Sequence, residues 1–231
     1  MKPTYVTICT PANDLDTSKE FYKKLNFEII SEAKPTLLAD TNFIIEIVDD
    51  TYARPGLKLY KVDWTEELSK LREMTEVIEY DDGFLASDPN GVKAYLSTEN
   101  FEEYAKPKDL IGMTGNFAGI SLEAVDVKGT CDFWACLGYE KNYGEFEQGW
   151  VTYTNGSDVV ISIMKMQTCP HMFFNPGMTF FNSGDNPRII QEIRDAGIPI
   201  TEEITAFNPE GNVDNIIIKD PGGYGFFIFN D

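Results

Sequence analysis

The chain has 231 residues, of which 42% are hydrophobic and 13% aromatic, enough to bury a substantial core without disulfide or metal staples. Its 38 acidic and 19 basic residues give a formal charge of −19 at pH 7, which repels nucleic-acid phosphates and anionic lipid surfaces. No run approaches the ~20 apolar residues of a membrane span and the first residues lack a signal-peptide pattern, so we expect a cytoplasmic protein without a nucleic-acid or membrane partner.

The hydrophobic pattern of the first half predicts a strand, a helix, three strands, a second helix and a last strand. Apolar side chains alternate from Tyr5 to Thr10, as in a strand with one buried face, and the helix that follows has an apolar stripe that includes Phe21, Tyr22 and Leu25. A D-P-x-G turn precedes the last strand. The elements between are expected at Thr36 to Leu38, Phe43 to Val48, Leu57 to Val62 and, as a helix, Trp64 to Met74.

The second half repeats this order. The segment DLDTSKEFYKKLNFEI, which begins at Asp14, returns as DVKGTCDFWACLGYEK from Asp126, and FLASDPNGVKAYL returns as IIIKDPGGYGFFI. The additional residues of the second half enter chiefly in QTCPHMFF and TAFNPEGN, which we expect to be loops. The repeat predicts two modules, at residues 1–105 and 116–231, joined by a linker at 106–115.

A duplicated unit with a strand, a helix carrying D-L-x-x-S-x-x-F-Y-x-x-L-x-F, further strands and a D-P-x-G turn resembles the vicinal oxygen chelate superfamily. This superfamily is the glyoxalase, bleomycin-resistance and extradiol-dioxygenase group. The resemblance covers nearly the whole chain, and its motif is weaker in the second copy. It implies an α+β fold of tandem βαβββ modules, with mixed or antiparallel sheets curled into a cup and the helices outside. A two-layer ferredoxin-like sandwich without a cavity is the alternative.

The resemblance also implies four cup positions in each half where metal-binding members of the superfamily place His, Gln or Glu. These positions fall on Thr7, Glu46, Leu57 and Tyr95 in the first half and on Gly119, Ser162, Met178 and Phe227 in the second. Only Glu46 suits a hard cation. The chain has one histidine, whereas an extradiol iron site needs two histidines and a carboxylate. We therefore expect no metal and no other cofactor, and a divalent ion on unexpected carboxylates remains the alternative.

Alternation along the strands predicts which side chains face the cup, and these are mainly apolar or aromatic with a few polar groups. Such walls suit a small organic ligand, although the same side chains could simply fill the cup as core. The candidate ligand-binding residues are Tyr5, Thr7, Tyr95, Ser162, Met178, Phe180 and Phe227.

Glu46 is the candidate catalytic residue, because a carboxylate on an apolar strand could serve as a general base. The alternative is a salt-bridged Glu46, or one at the exposed rim. The sequence predicts a metal-independent binding or sequestration protein, similar to bleomycin-resistance proteins, whose acidic cup favours cationic or amphipathic ligands. A glyoxalase-like lyase or isomerase that uses Glu46 as base is the rival hypothesis, and a protein-interaction module is a third. Both a monomer and a homodimer are compatible with the sequence.

Overall fold

The computed structural model describes residues 2–80, 82–101 and 104–230, which contain four α-helices and two eight-stranded sheets. The helices are α1 (Leu15–Lys24), α2 (Thr65–Met74), α3 (Val127–Cys136) and α4 (Asn186–Asp195). The first sheet contains β1 (Tyr5–Pro11), β2 (Glu28–Ser31), β3 (Thr36–Ala39), β4 (Ile44–Val48), β5 (Gly56–Tyr60), β6 (Val77–Tyr80), β7 (Gly83–Ser87) and β8 (Lys93–Ser97). The second contains β9 (Phe117–Ala124), β10 (Glu140–Glu145), β11 (Trp150–Thr154), β12 (Ile161–Lys165), β13 (Gly177–Phe181), β14 (Ile200–Ile204), β15 (Asn215–Lys219) and β16 (Gly225–Phe229).

Each sheet is built from two βαβββ units placed side by side. In the first sheet the strand order is β2-β3-β4-β1-β5-β8-β7-β6, so that the first strands of the two units, β1 and β5, pair antiparallel at its centre. Each first strand also pairs in parallel with the last strand of its own unit. The second sheet has the same order, and the predicted α+β fold of tandem βαβββ modules with mixed sheets is confirmed.

The halves therefore hold twice as many units as the sequence repeat indicates. Six strands were not predicted. Two of them, β7 and β15, lead directly into the D-P-x-G turns. The other four follow a helix directly and lie at an edge of a sheet: β2, β6, β10 and β14. Their polar and exposed side chains give the burial patterns of edge strands, which lack the apolar alternation that predicts a central strand.

Capping residues mark the beginning of α1 and the ends of α1 and α4. The side chain of Asp14 caps α1 by accepting a hydrogen bond from the Thr17 amide at 2.7 Å. Asn26, just after the helix, adopts a φ of 68°, and Gly197 does the same after α4 with a φ of 65°. Tyr22 and Leu25 on the predicted stripe of α1 are fully buried.

One hydrophobic core runs through both halves, and it contains the helix-facing side of each sheet. The opposite, concave faces carry two smaller clusters, one around Leu37 and Ile44 and the other around Ile217 and Phe227. We call these faces the N-terminal cup (strands β1 to β8) and the C-terminal cup (strands β9 to β16). No helix among the described residues is long and apolar enough to cross a membrane.

Two D-P-x-G turns fasten the halves to each other. Asp220, in the turn of the second half, accepts hydrogen bonds from Tyr22 of α1 at 2.7 Å and from Thr10 at 2.6 Å. Asp88, in the turn of the first half, accepts one from Trp134 of α3 at 3.4 Å. Each turn thus reaches the helix of the other half, and we call this pair of contacts the reciprocal clasp.

Candidate functional site

The N-terminal cup contains a cavity of about 740 Å³, and all the residues that line it belong to the first half. Its walls are largely apolar, with Val48, Ile78 and Leu85 among them, and polar groups are placed at a few points. The ferredoxin-like alternative without a cavity therefore does not describe this half.

Glu46 lies deep in this cup. It is central in β4, between Ile45 and Ile47, which face the core, and its side chain is fully buried. The Oε1 atom accepts hydrogen bonds from the Thr7 hydroxyl, at 2.5 Å, and from the Tyr60 hydroxyl. The Oε2 atom has no hydrogen-bond partner among the described residues. The carboxylate is thus held by hydrogen bonds to one oxygen, and its other oxygen accepts none from the described residues.

Lys58 is the cation nearest to Glu46, and the sequence analysis missed it. Its Nζ lies 3.7 Å from Glu46 Oε2 and 5.1 Å from the centre of the Tyr60 ring, and its side chain is 12% exposed. Cross-strand register pairs Lys58 with Thr7 on one side and with Tyr95 on the other, which places all three on the cup face.

Leu57, the residue expected at this cup position, instead belongs to the core. The assignment of Leu57 is wrong because a shift of one residue along a strand moves a side chain to the opposite face. The signal was present in β5, where Leu57 and Leu59 alternate with Lys58 and Tyr60. The alternation itself marks the lysine as a cup residue.

Cys9 lies beside the carboxylate, as the register partner of Glu46 on β1. Burial, and then the neighbouring Glu46 charge, raise the pKa of the Cys9 thiol far above its usual range. The thiol is therefore protonated at neutral pH and is not a nucleophile.

Tyr95 and Tyr5 both contact other segments of the chain. The Tyr95 hydroxyl accepts a hydrogen bond from the Arg54 amide at 2.8 Å and donates one to the Arg54 carbonyl at 2.9 Å, which ties the loop between β4 and β5 to the cavity mouth. Tyr5 stacks on Phe101 with ring centres 4.3 Å apart and lies outside the cavity lining. The two predicted ligand-binding tyrosines thus pack against the protein's own segments.

The cavity is not acidic, although the chain is. Four basic and three acidic side chains line it: Lys34, Arg54, Lys58 and Lys93, with Asp49, Asp50 and Asp82. Lys34 and Asp49 pair at 3.7 Å with both side chains exposed. The expectation of an acidic cup that favours cationic ligands is therefore wrong, because the excess acidic residues lie elsewhere on the chain.

The C-terminal cup is filled by its own chain. The QTCPHMFF insertion folds back over the sheet, where Phe173 packs on Phe227 with ring centres 4.8 Å apart and His171 approaches Phe229 at 5.3 Å. Phe174 lies so close to Gly225 that a Cβ there would be 2.6 Å from the Phe174 Cβ. We call residues 169–174 the plug.

The remaining candidate residues of the second half do not share one site. Met178 and Phe180 lie in the main core, where the Phe180 ring stacks on Phe226 at 5.9 Å, so their placement in the cup is wrong. The register pairs Thr179 with Phe227, which puts Met178 on the other face of β13. Ser162 is half-buried on β12 and pairs with Thr152 and Ser121 of the neighbouring strands.

The residues of the N-terminal cup do not fit a divalent metal. Glu46 is the carboxylate in contact with Thr7 and Lys58, its Oε1 is already used by two hydroxyl donors, and an ammonium group lies by its Oε2. An ammonium group repels a metal cation and has no lone pair with which to bind one. No group of three or more His, Cys, Asp or Glu suited to a metal occurs among the described residues.

No family model and no curated protein matches the chain. Solved structures do match it. A catechol 2,3-dioxygenase aligns over 100% of this chain and 89% of its own, with 15% identity and a TM-score of 0.57. The Mn(II)-bound glyoxalase from Novosphingobium aromaticivorans aligns over 99% and 82%, with 15% identity and a TM-score of 0.56.

The homoprotocatechuate 2,3-dioxygenase from Arthrobacter globiformis aligns over 100% of this chain and 81% of its own, with 14% identity and a TM-score of 0.60. At identities this low, the structural alignments show that the folds agree, and the chemistry of the site has to be argued from its own residues. The chain has the fold of the vicinal oxygen chelate superfamily, and the similarity extends over its whole length.

Proposed function

We propose that this protein binds a small organic ligand in the N-terminal cup without using a metal, as a sequestration protein of the bleomycin-resistance kind. The observation that supports this most is the contrast between the two cups. The N-terminal cup keeps a cavity of about 740 Å³, whereas the C-terminal cup is filled by Phe173 and Phe174. The size lies within the range of about 300–1,000 Å³ that is usual for small-molecule sites.

The cavity has the two parts that such sites combine. Apolar side chains, including Val48, Ile78 and Leu85, offer surface to the body of a ligand, while the ammonium group of Lys58 offers N–H donors to its polar atoms. Removal of a ligand's apolar surface from water contributes roughly 25 cal/mol per Å², and the polar atoms fix its orientation.

Titration with N-phenyl-1-naphthylamine, a neutral probe that fluoresces in apolar sites, tests the proposal. We expect saturable binding of about one equivalent. Leu85→Trp, which adds a ring inside the cavity, should abolish binding, whereas Val62→Trp, at a side chain 65% exposed and outside the cavity, should not. Equal binding by both variants would contradict a site in the N-terminal cup. Native mass spectrometry of the freshly purified protein would detect a ligand that is retained.

A lyase or isomerase that uses Glu46 as base is the second candidate. One observation favours it: hydrogen bonds fix the carboxylate through Oε1, while Oε2 accepts no hydrogen bond from the described residues and so has a lone pair with which a base could take a proton. Deuterium exchange at carbon atoms next to a carbonyl, followed by NMR in D₂O with a panel of small ketones, tests this candidate. Exchange that is lost in Glu46→Gln would favour the enzyme, and no exchange above buffer would refute it.

The proposal includes a cytoplasmic location, no nucleic-acid or membrane partner, and a monomer or homodimer. It also retains the division into modules at residues 1–105 and 116–231 with a linker between them. Sedimentation analysis measures the oligomeric state, and limited proteolysis tests the linker by asking whether cleavage concentrates at residues 106–115.

A further inference from the structure

Two lysines in the N-terminal cavity have N–H donors that the described residues leave unused. We infer that the ligand is a hydrophobic organic acid, which binds with its carboxylate at Lys58 and Lys93 and with its apolar body towards the mouth. Both lysines line the cavity, so a ligand inside it meets them directly. This inference rests on the proposed ligand-binding function and specifies its ligand class.

The donors belong to ammonium groups, each of which carries three N–H bonds. Lys93 donates one of them to the Ser87 hydroxyl at 2.7 Å. Lys58 makes no hydrogen bond to a described residue, since its Nζ lies 3.7 Å from Glu46 Oε2, which is too long for one. Most of these N–H bonds are therefore available to oxygen atoms of a ligand. Hydrogen bonds from an ammonium to a carboxylate are about twice as strong as those between neutral groups.

The two lysines lie on the same face of neighbouring strands. The register pairs Lys58 of β5 with Tyr95 of β8, and Lys93 precedes Tyr95 by two residues. Side chains two residues apart point to the same side of a sheet and are about 7 Å apart along the strand. The flexible four-carbon stems let both ammonium groups turn towards one carboxylate between them.

The charge of Lys93 is the one that a ligand carboxylate would balance. Lys58 has Glu46 as its ion-pair partner and Lys34 has Asp49, whereas the half-buried Lys93 has no ion pair among the described residues. A carboxylate supplies the missing opposite charge, and a ligand ammonium would bring like charges together in a partly desolvated place. A neutral amide would accept hydrogen bonds without balancing the charge.

The acidic residues of the lining lie too far away to take this place. Asp49 and Asp50 are exposed to solvent. Asp82 precedes β7 at the end of this strand that pairs with Ser97, whereas Lys93 pairs at its other end. The two ends are four residues apart, or about 13 Å along the strand. The electrostatic potential in the cavity is therefore most favourable to an anion near Lys93.

The orientation of the ligand follows from a row of side chains that runs from the centre of the sheet to its edge. The register places Lys58, Tyr95, Leu85 and Ile78 side by side on β5, β8, β7 and β6. The row spans three strand spacings, or about 14 Å. The Lys58 side chain is 12% exposed and Ile78 is 53% exposed. A carboxylate at the lysines thus leaves the apolar body of the ligand over Leu85 and Ile78, and covering this apolar surface stabilises the complex.

Displacement of N-phenyl-1-naphthylamine at neutral pH by three compounds with the same apolar body tests the inference. The compounds are 4-tert-butylbenzoate, 4-tert-butylbenzamide and 4-tert-butylbenzylamine, which end in an anion, a neutral group and a cation. The benzoate should displace the probe at a concentration about tenfold lower than the benzamide, because charge-assisted hydrogen bonds are added to the same apolar contacts. The benzylamine should be the weakest of the three.

Lys93→Met is the most informative variant, because it removes the charge and keeps most of the stem. It should weaken the benzoate about tenfold and change the benzamide by less than about twofold, whereas Lys93→Arg should keep the preference. Lys165→Met, at an exposed lysine outside the cavity, is the matched control and should bind like the wild type. Lys58→Met is less suitable, since it would leave the buried Glu46 without its cation and destabilise the fold.

The outcomes separate the inference from the proposed function. If the probe binds saturably and is lost in Leu85→Trp, but the benzamide competes as well as the benzoate, the ligand class is refuted and the cavity stands as a binding site. If the probe does not bind saturably, the proposed function itself fails. A benzoate preference that survives Lys93→Met but disappears in Lys34→Met would overturn the position of the carboxylate. Should Lys93→Met not fold, the wild-type series decides.

Discussion

Replacing Tyr22 with phenylalanine removes one atom from the reciprocal clasp. The Tyr22 hydroxyl donates to Asp220 Oδ2 at 2.7 Å, and both residues are almost completely buried. Phenylalanine keeps the ring and its contacts, so the loss is confined to the hydrogen bond and to the acceptor it leaves short of a donor. A hydrogen bond to a charged group contributes about 1.5–3 kcal/mol, and Thr10 still donates to the same oxygen, so we expect a loss of about 1.5–2 kcal/mol.

Urea unfolding, followed by far-UV circular dichroism, measures this loss as the change in the extrapolated free energy of unfolding at a constant slope. Tyr139→Phe is the matched control, since Tyr139 is as buried as Tyr22 and its hydroxyl donates to no carboxylate among the described residues. The control should change stability by less than about 0.5 kcal/mol. Equal losses in the two variants would refute the argument, because the effect would then come from packing and not from the clasp.

Three further results are expected. Burial raises the pKa of Asp220 despite its hydrogen-bond donors. The contribution of this carboxyl to stability is therefore complete below its unfolded pKa and is lost as pH rises through the raised folded pKa. The stability of the wild type relative to Asp220→Asn should fall over that pH range, and a constant difference would contradict the argument. Replacing Phe173 and Phe174 together by alanine should empty the C-terminal cup and add a second equivalent of bound N-phenyl-1-naphthylamine, whereas an unchanged stoichiometry would mean that the cup collapses. Iodoacetamide at pH 8 should modify the half-buried Cys169 well before the buried Cys9, as peptide mass spectrometry would detect; the opposite order would mean that the cup opens.

Much of the fold follows from the sequence because its signals are strong where burial is complete. The helix stripe with Tyr22 and Leu25, the D-P-x-G turns and ten of the sixteen strands were predicted. The inner strands β7 and β15 were missed. The edge strands were also missed, since a strand such as β14, ITEEI, pairs on one side only and exposes much of its surface. The second βαβββ unit of each half was missed for the same reason, as its recognition depends on those strands.

The candidate site was predicted in part. The resemblance to the superfamily assigned both Thr7 and Glu46 to cup positions, and the structure brings them within a hydrogen bond of each other. Lys58 was missed because counting from Gly56 stopped one residue early, although the alternation of β5 marks it. The hydrogen bonds that tie Tyr95 to Arg54 depend on how a loop folds over the sheet, and periodicity carries no such information.

The plug was visible in the sequence only as an insertion. The plug contains two adjacent phenylalanines, whose side chains are stabilised by burial away from water. A loop of this composition therefore packs on an apolar surface. The C-terminal cup provides that surface. An insertion rich in aromatic residues in one copy of a repeat is therefore evidence about which copy has lost its cavity.

The reciprocal clasp also bears on cooperativity. A chain with two complete sheets could unfold in two steps, one for each sheet. Here each half holds an aspartate whose donor lies on a helix of the other half, so unfolding of either half leaves the other with a buried carboxylate short of a hydrogen bond. The shared core couples them further. The duplicated chain is thus one thermodynamic unit, and calorimetry should record a single transition whose van't Hoff and calorimetric enthalpies agree.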